Sequence, residues 1–176
     1  MVVQEKIGQF QGLDFWKFPT GIANEGEDIC MAAIREVKEE TGIDTEFVEV
    51  LAFRSEALSF VNLFVCLTYR HSHKKLFEKS ELFFLCMLRP LSFDIQKQEL
   101  EIEAVQWMQY DEYVAQTFVQ KDELLNYVMK ICLAKENKDY AGFSPVSITS
   151  SFSNEKSHLY FNSRDLNKLL SSGTQP

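Results

Sequence analysis

The sequence predicts an α/β fold, a sheet with helices laid against it, and three observations predict it. Short windows rich in β-branched and aromatic residues recur along the first hundred positions, and two stretches place apolar residues at helical spacing. One strand window, "ELFFLCMLR" (81–89), is so continuously apolar that both of its faces need cover. At 176 residues, with 45% hydrophobic and 13% aromatic side chains, the chain has the apolar surface for one domain with a real core.

Val2 and Val3 are apolar and β-branched, so a strand opens the chain. "GQFQGLD" (8–14) reads as a hairpin-like loop, "FWKFP" (15–19) as a strand closed by Pro19, and "TGIANEGE" (20–27) as a loop punctuated by Gly21 and Gly26. From Asp28 to Thr41 an acidic start, good helix formers and Gly42 at the C′ position predict a helix that ends with a positive φ. "FVEVLAFR" (47–54), "SFVNLFVCLTYR" (59–70), 81–89 and "EIEAVQWM" (101–108) read as strands. In 122–137 the apolar residues Leu124, Leu125, Val128, Ile131 and Cys132 fall on one helical face. The Ser-rich stretch "SPVSITSSFSNEKS" has the composition of a loop, with Leu159, Tyr160 and Phe161 able to dock back, so a domain over 1–145 and a tail over 146–176 are expected. Trp16 and Trp107 read as core residues rather than as stacking platforms for a base.

Charge and cysteine usage exclude several classes of function. The formal net charge is −8 and the basic residues are scattered, which argues against polymeric nucleic acid or a membrane surface as partner. Cys30, Cys66, Cys86 and Cys132 form no CxxC pair and suit buried free thiols better than a disulfide framework or a zinc site. The opening "MVVQEKIGQF" is not a secretory signal, and the apolar window 60–69 is half the roughly 20 residues of a membrane helix. A cytoplasmic protein is the expectation.

The chemistry concentrates in "REVKEETGI" (35–43). Spacings of three and four bring Glu36, Glu39 and Glu40 onto one arc of the helix, beside an apolar arc of Cys30, Ala33, Ile34 and Val37. Like charges so placed destabilise a helix by a few tenths of a kcal/mol per pair unless a cation compensates. Carboxylate oxygens with no Cys or His beside them fit a hard ion, Mg²⁺ or Mn²⁺, better than zinc. The plain alternative, a solvated Glu-rich helix face, suffices for these three glutamates alone.

The loop before the helix changes that balance. Gly21, five residues, Glu27, seven residues and then Arg35 through Ile43 resemble the Nudix box, GX5EX7REUXEEXGU with U aliphatic, at every specified position. An accidental full match in a chain of this size has odds on the order of 10⁻⁷, so coincidence does not explain it. The resemblance implies an α/β/α sandwich with a mixed sheet, and hydrolysis of a nucleoside diphosphate linked to another group. It also implies Glu36, Glu39 and Glu40 as metal ligands for Mg²⁺ or Mn²⁺, with a backbone carbonyl from Thr20. Gly21, Glu27, Arg35 and Gly42 then have structural roles, Arg35 pairing with Glu27 or Glu39. The base that takes the proton from water stays open between a box glutamate (Glu36 or Glu39) and a later loop glutamate. Glu101 and Glu99 are the loop candidates ahead of Glu103, and a solvated acidic turn is their plain alternative.

Outside the box, "FWKFPTG", "KSELFFLCMLRPLSFDI" and "EIEAVQWM" are similar to the plant cytosolic Nudix hydrolases. That subfamily implies ADP-ribose (to AMP and ribose 5-phosphate) or NADH (to AMP and reduced nicotinamide mononucleotide) as substrate, and a homodimer. Arg54, Arg70 and Lys74, with Lys75, are the cations placed to meet substrate phosphate, against the alternative of solvated charges. His71 and His73 suit exposed or substrate-side roles better than a two-His metal site. Two departures from the subfamily pattern stand out: the chain starts within the opening strand, so an N-terminal truncation is expected, and residues 55–70 read as an inserted segment. The segment carries a ten-residue apolar run that must pair or aggregate, and its expected place is an extended hairpin beside the site of an alternative or mis-joined gene product. These departures support a second reading, a catalytically impaired homologue acting as a binding or regulatory protein.

Overall fold

The computed structural model describes residues 1–6, 15–57, 66–71, 80–149, 156–162 and 164–165, with side chains from 55 through 81 outside the description. The elements run β1 (Val2–Glu5), α1 (Ile29–Thr41), β2 (Thr45–Ala57), β3 (Cys66–His71), β4 (Ser80–Pro90) and β5 (Ile102–Gln106). Then come α2 (Tyr110–Val114), α3 (Thr117–Lys121), α4 (Glu123–Glu136), β6 (Ser144–Thr149) and β7 (Lys156–Phe161). The strands form three sheets, β1-β5, β2-β4-β3 and β6-β7, and each pairing between these strands is antiparallel. Among the described residues no helix is long and apolar enough to cross a membrane.

The central sheet is sandwiched because successive side chains point to opposite faces. On β2 and β4, Val50 and Cys86 face α1, where Ala32 and Ala33 let the helix come close. Leu51 and Leu85 face the other way, onto Val128 of α4 with Leu124 and Ile131 around it. Each large apolar side chain so buried contributes about 1.5–3 kcal/mol relative to exposure. A third cluster, Val2, Phe15, Tyr113, Val119, Leu125 and Met129, ties β1 to α2, α3 and α4.

Helix α1 starts and stops where its sequence says it should. Asp28 is the N-cap, its side chain accepting from the Cys30 N–H, and Gly42 follows Thr41 with φ 75° while donating to the Lys38 carbonyl. Gly42 is also packed against the 91–101 loop, since a Cβ there would lie 2.5 Å from Gln96 Cβ. Lys38 and Met31 point outward as the wheel requires, and Ala32 joins Cys30, Ala33 and Val37 on the buried side, where Ile34 is only half-buried.

Several expectations are corrected. "FWKFP" forms no strand: only Lys17 bridges to Val3, through N–H to carbonyl bonds of 2.8 and 3.0 Å. β4 is covered at Leu85 and Cys86, yet Met87 is exposed, so its apolar run overstated its burial. Trp107 is 43% exposed and packs at a tilt against the exposed Phe93 ring rather than entering the core. The Ser-rich stretch is not a loop throughout: 144–149 form β6, which follows the Phe143–Val50 bridge to β2, and 156–157 open β7, while 150–155 lie outside the described residues. Buried Glu49 anchors that entry, accepting from the Gly142 N–H at 2.8 Å and pairing with Lys135 of α4. Helices α2 and α3 carry too few residues to show a period. Both ends of the 55–70 segment pair with β4, Ser55 through Ala57 on one side and Cys66 through Arg70 on the other; residues 58–65, and the expected loop at 8–14, lie outside the described residues.

Candidate metal centre

The loop 20–27 lies along the carboxylate face of α1, and its backbone N–H groups point at the acids. Ile22 N–H donates to Glu36 Oε1 at 3.1 Å, Thr20 N–H to Glu40 Oε2 at 3.2 Å and Asn24 N–H to Glu27 Oε2 at 2.9 Å. Gly21 sits between the first two contacts. A Cβ there would fall 1.8 Å from Glu36 Cδ, so a larger residue would push that carboxylate out of its place.

Arg35 organises the acids. Its Nε and Nη2 hold Glu27 bidentately at 2.8 Å each, Nη1 reaches Glu36 Oε1 at 2.7 Å and Glu39 Oε2 at 3.1 Å, and Nη2 also donates to the Ile22 carbonyl at 3.0 Å. The expected pairing with Glu27 or Glu39 is thus with both, and with Glu36 besides. Hydrogen bonds from Arg35 hold Glu27 down to about 2, and its carboxylates, Glu27 first, raise the guanidinium further above its usual range.

The three expected ligands are not equivalent. Glu39 is more than half exposed, whereas the Glu36 side chain is only 16% exposed. Burial raises the Glu36 carboxyl above its ordinary value, against the pull of Arg35. Burial pushes Glu40 up to about 8, opposed chiefly by the charge of Lys17. A desolvated carboxylate with one backbone donor is under-compensated, and a hard divalent cation supplies what is missing. The donor set, all oxygen, fits Mg²⁺ or Mn²⁺: Glu36, Glu39 and Glu40 would hold the ion, with the Thr20 carbonyl beside them.

Lys17 and Glu5 are the participants the sequence pattern did not single out. Lys17 is 5% exposed, pairs with Glu5 of β1 and donates to Thr20 Oγ1 at 2.6 Å, so it fixes the peptide that carries the candidate carbonyl ligand. The only signal was a charged residue inside the apolar "FWKFP".

The loop glutamates come near without joining. Gln98 N–H donates to the Glu40 carbonyl at 3.2 Å, which brings the 96–101 turn to the end of α1. Glu99 is exposed and pairs with Lys97, while Glu101 and Glu103 are exposed. Among the described residues none of these three side chains is recorded in contact with Glu36, Glu39 or Glu40. Arg54 lies exposed on β2 opposite Phe83. Arg70 pairs through its backbone with Glu81 and its side chain lies outside the described residues, as do Lys74, Lys75 and His73 entirely.

The sequence matches the family model described as NUDIX domain over residues 1–127. It is 52% identical to Nudix hydrolase 2 of Arabidopsis thaliana over 166 residues, 94% of this chain and 53% of that protein. It is 48% identical to Nudix hydrolase 10 of the same plant over 162 residues, 92% of this chain and 53% of that protein. Nucleoside diphosphate-linked moiety X motif 6 of Xenopus laevis is 34% identical over 151 residues, 85% of this chain and 58% of that protein. The chain spans about half the length of the curated relatives it matches.

Proposed function

Because the chain belongs to the Nudix hydrolase family, we propose that it hydrolyses the pyrophosphate bond of nucleoside diphosphate derivatives. ADP-ribose, cut to AMP and ribose 5-phosphate, and NADH, cut to AMP and reduced nicotinamide mononucleotide, are the substrates proposed. The observation that supports this reading is the packing of the Thr20–Ile22 backbone on Glu36 and Glu40, with Arg35 bonded to Glu36 and Glu39. Pyrophosphate is itself anionic and meets three carboxylates only with a cation between them. When bound, Mg²⁺ or Mn²⁺ supplies that neutralisation, polarises a phosphoryl group and acidifies the attacking water. The chain's own part is to hold the ligands: Arg35 fixes Glu36 and Glu39, and Lys17 fixes Thr20 under Glu40. Glu36, Glu39 or Glu101 accepts the proton of the attacking water. Arg54, Arg70 and Lys74 meet substrate phosphate, and the working form is a cytoplasmic homodimer.

The purified chain, assayed with Mg²⁺ for AMP release from ADP-ribose and NADH beside Glu36→Gln, tests the proposal. AMP released by the parent and lost in the variant supports it. No AMP from a chain with a folded circular dichroism spectrum overturns it in favour of a binding or regulatory role. Light scattering of the same sample reads the assembly state.

A further inference from the structure

The opposite end of the box helix carries a second set of metal-binding side chains. Asp28, Cys30 and His158 bring a carboxylate oxygen, a thiol sulfur and an imidazole nitrogen within 4.8 Å of one another. They come from the cap of α1, its first turn and β7, and Asp28 and His158 lie 130 positions apart in sequence. His158 Nδ1 lies 3.0 Å from Asp28 Oδ2, and the Tyr160 hydroxyl donates to Asp28 Oδ1 at 2.5 Å. The register that pairs Ser147 with His158 and Pro145 with Tyr160 puts both β7 side chains on the face that meets the helix.

We propose that Asp28, Cys30 and His158 form a binding site for a zinc-like divalent cation, distinct from the Mg²⁺ or Mn²⁺ centre of the box. Zinc is bound by such ligands at about 2.0–2.3 Å, so their atoms in a tetrahedron lie about 3.3–3.8 Å apart. The Asp28–His158 separation is 3.0 Å and all three donor atoms lie within 4.8 Å of one another, so adjustments of about an ångström bring them to that spacing. Sulfur and imidazole select a borderline-soft cation over Mg²⁺, whose ligands are oxygens.

The charges balance. The buried Cys30 thiol gives its proton to solvent on binding, and the thiolate and the Asp28 carboxylate together neutralise the cation while His158 binds as neutral imidazole. The N-terminus of a helix favours a thiolate. Without the cation, burial and the neighbouring Asp28 hold the thiol protonated, pushed up to about 11. The site joins β7 to the helix that carries Glu36, Glu39 and Glu40, so its occupancy fastens the β6-β7 hairpin to the domain. The Tyr160 hydroxyl lies beside the set on Asp28, a fourth donor atom within reach.

Zn²⁺ and Co²⁺ titrations of a Glu36→Gln/Glu39→Gln background test the site with the box silenced. The expected result is one Zn²⁺ per chain, a Co²⁺ spectrum with thiolate charge-transfer absorption, and a melting temperature raised by Zn²⁺. His158→Asn, on an exposed strand, weakens Zn²⁺ by about 100-fold or more. Cys30→Ser, checked for fold by circular dichroism, loses the charge-transfer band. Zn²⁺ binding that disappears with the box glutamates, or a Co²⁺ spectrum without a thiolate band, overturns the proposal.

Discussion

Replacing Gly21 by Ala places a methyl group 1.8 Å from Glu36 Cδ and 2.1 and 2.2 Å from its two oxygens. Glycine is needed here for space, not for dihedral freedom, because the φ of Gly21 is not among the positive ones. The carboxylate must retreat by about 1.6 Å to reach van der Waals contact, and its bonds to the Ile22 N–H and the Arg35 guanidinium cannot follow. Overpacking and two weakened charge-assisted bonds, offset by rehydration of a partly exposed side chain, come to about 1–3 kcal/mol. For a chain of this length that is roughly a 3–10 °C fall in melting temperature. The clash has one partner, so it vanishes with it. In a Glu36→Ala background Gly21→Ala costs less than about 0.5 kcal/mol, which leaves a coupling energy of about 1–3 kcal/mol. Urea denaturation of the four proteins in chelator measures the cycle, and Mn²⁺ titration of Gly21→Ala by electron paramagnetic resonance reads a 10- to 100-fold weaker site. Equal destabilisation in both backgrounds, or unchanged Mn²⁺ affinity, would refute the packing of Gly21 on Glu36.

The remaining predictions concern charge. Glu40 has a folded-state pKa of about 8, above its unfolded value, so the metal-free protein is stabilised below about pH 4.5 and loses that contribution as pH rises to 8. The melting-temperature gain from added Mg²⁺ therefore grows from pH 6 to pH 8.5, and a gain independent of pH would contradict it. Glu27 has the opposite sign: its pKa of about 2 gives stability that is full above about pH 4.5 and lost as pH falls through 2. Glu27→Gln should cost about 1–2 kcal/mol at pH 7 and nearly nothing at pH 2 by urea denaturation. Arg35→Lys keeps the charge but loses the fork, and should weaken Mn²⁺ binding 10- to 100-fold with an intact circular dichroism spectrum. Lys17→Met leaves Glu5 without its buried partner and should cost about 1–3 kcal/mol, read as a lower urea midpoint.

The box helix was legible because its signals are local: Asp28 and Gly42 lie within fifteen residues, and the helix stops at Gly42 as read while Asp28, read as its first residue, is its N-cap. The strands β2 and β4 were legible for the same reason, although β2 runs from Thr45 to Ala57, past the 47–54 read from the sequence and into the segment read as inserted. Residues that act across the fold were not. Nothing near Lys17 in sequence announces that Glu5 of β1 will pair with it, and nothing near Cys30 points to His158. The β6-β7 hairpin was hidden by composition. Its Ser residues favour a loop until Phe143 docks on Val50 and supplies the pairing edge that local propensity lacks. The 99–103 turn is acidic, and the Gln98 N–H that donates to the Glu40 carbonyl brings its backbone to the end of α1, an approach that acidic composition alone does not announce.

The distribution of compensation within the box accounts for its residue types. Glu27 spends both oxygens on Arg35, which leaves that arginine with only Nη1 for Glu36 and Glu39 and nothing for Glu40. Lys17 offsets Glu40 through charge while its ammonium is committed to Glu5 and Thr20. Positive charge is thus already committed, Arg35 to Glu27, Glu36 and Glu39 and Lys17 to Glu5 and Thr20. A further arginine beside Glu40 would stabilise the metal-free helix, and would also compete with the cation for the same oxygens. A stability deficit concentrated on Glu36 and Glu40 is what a site that must bind a divalent ion requires, and a substitution that relieves it should raise the melting temperature while weakening the metal.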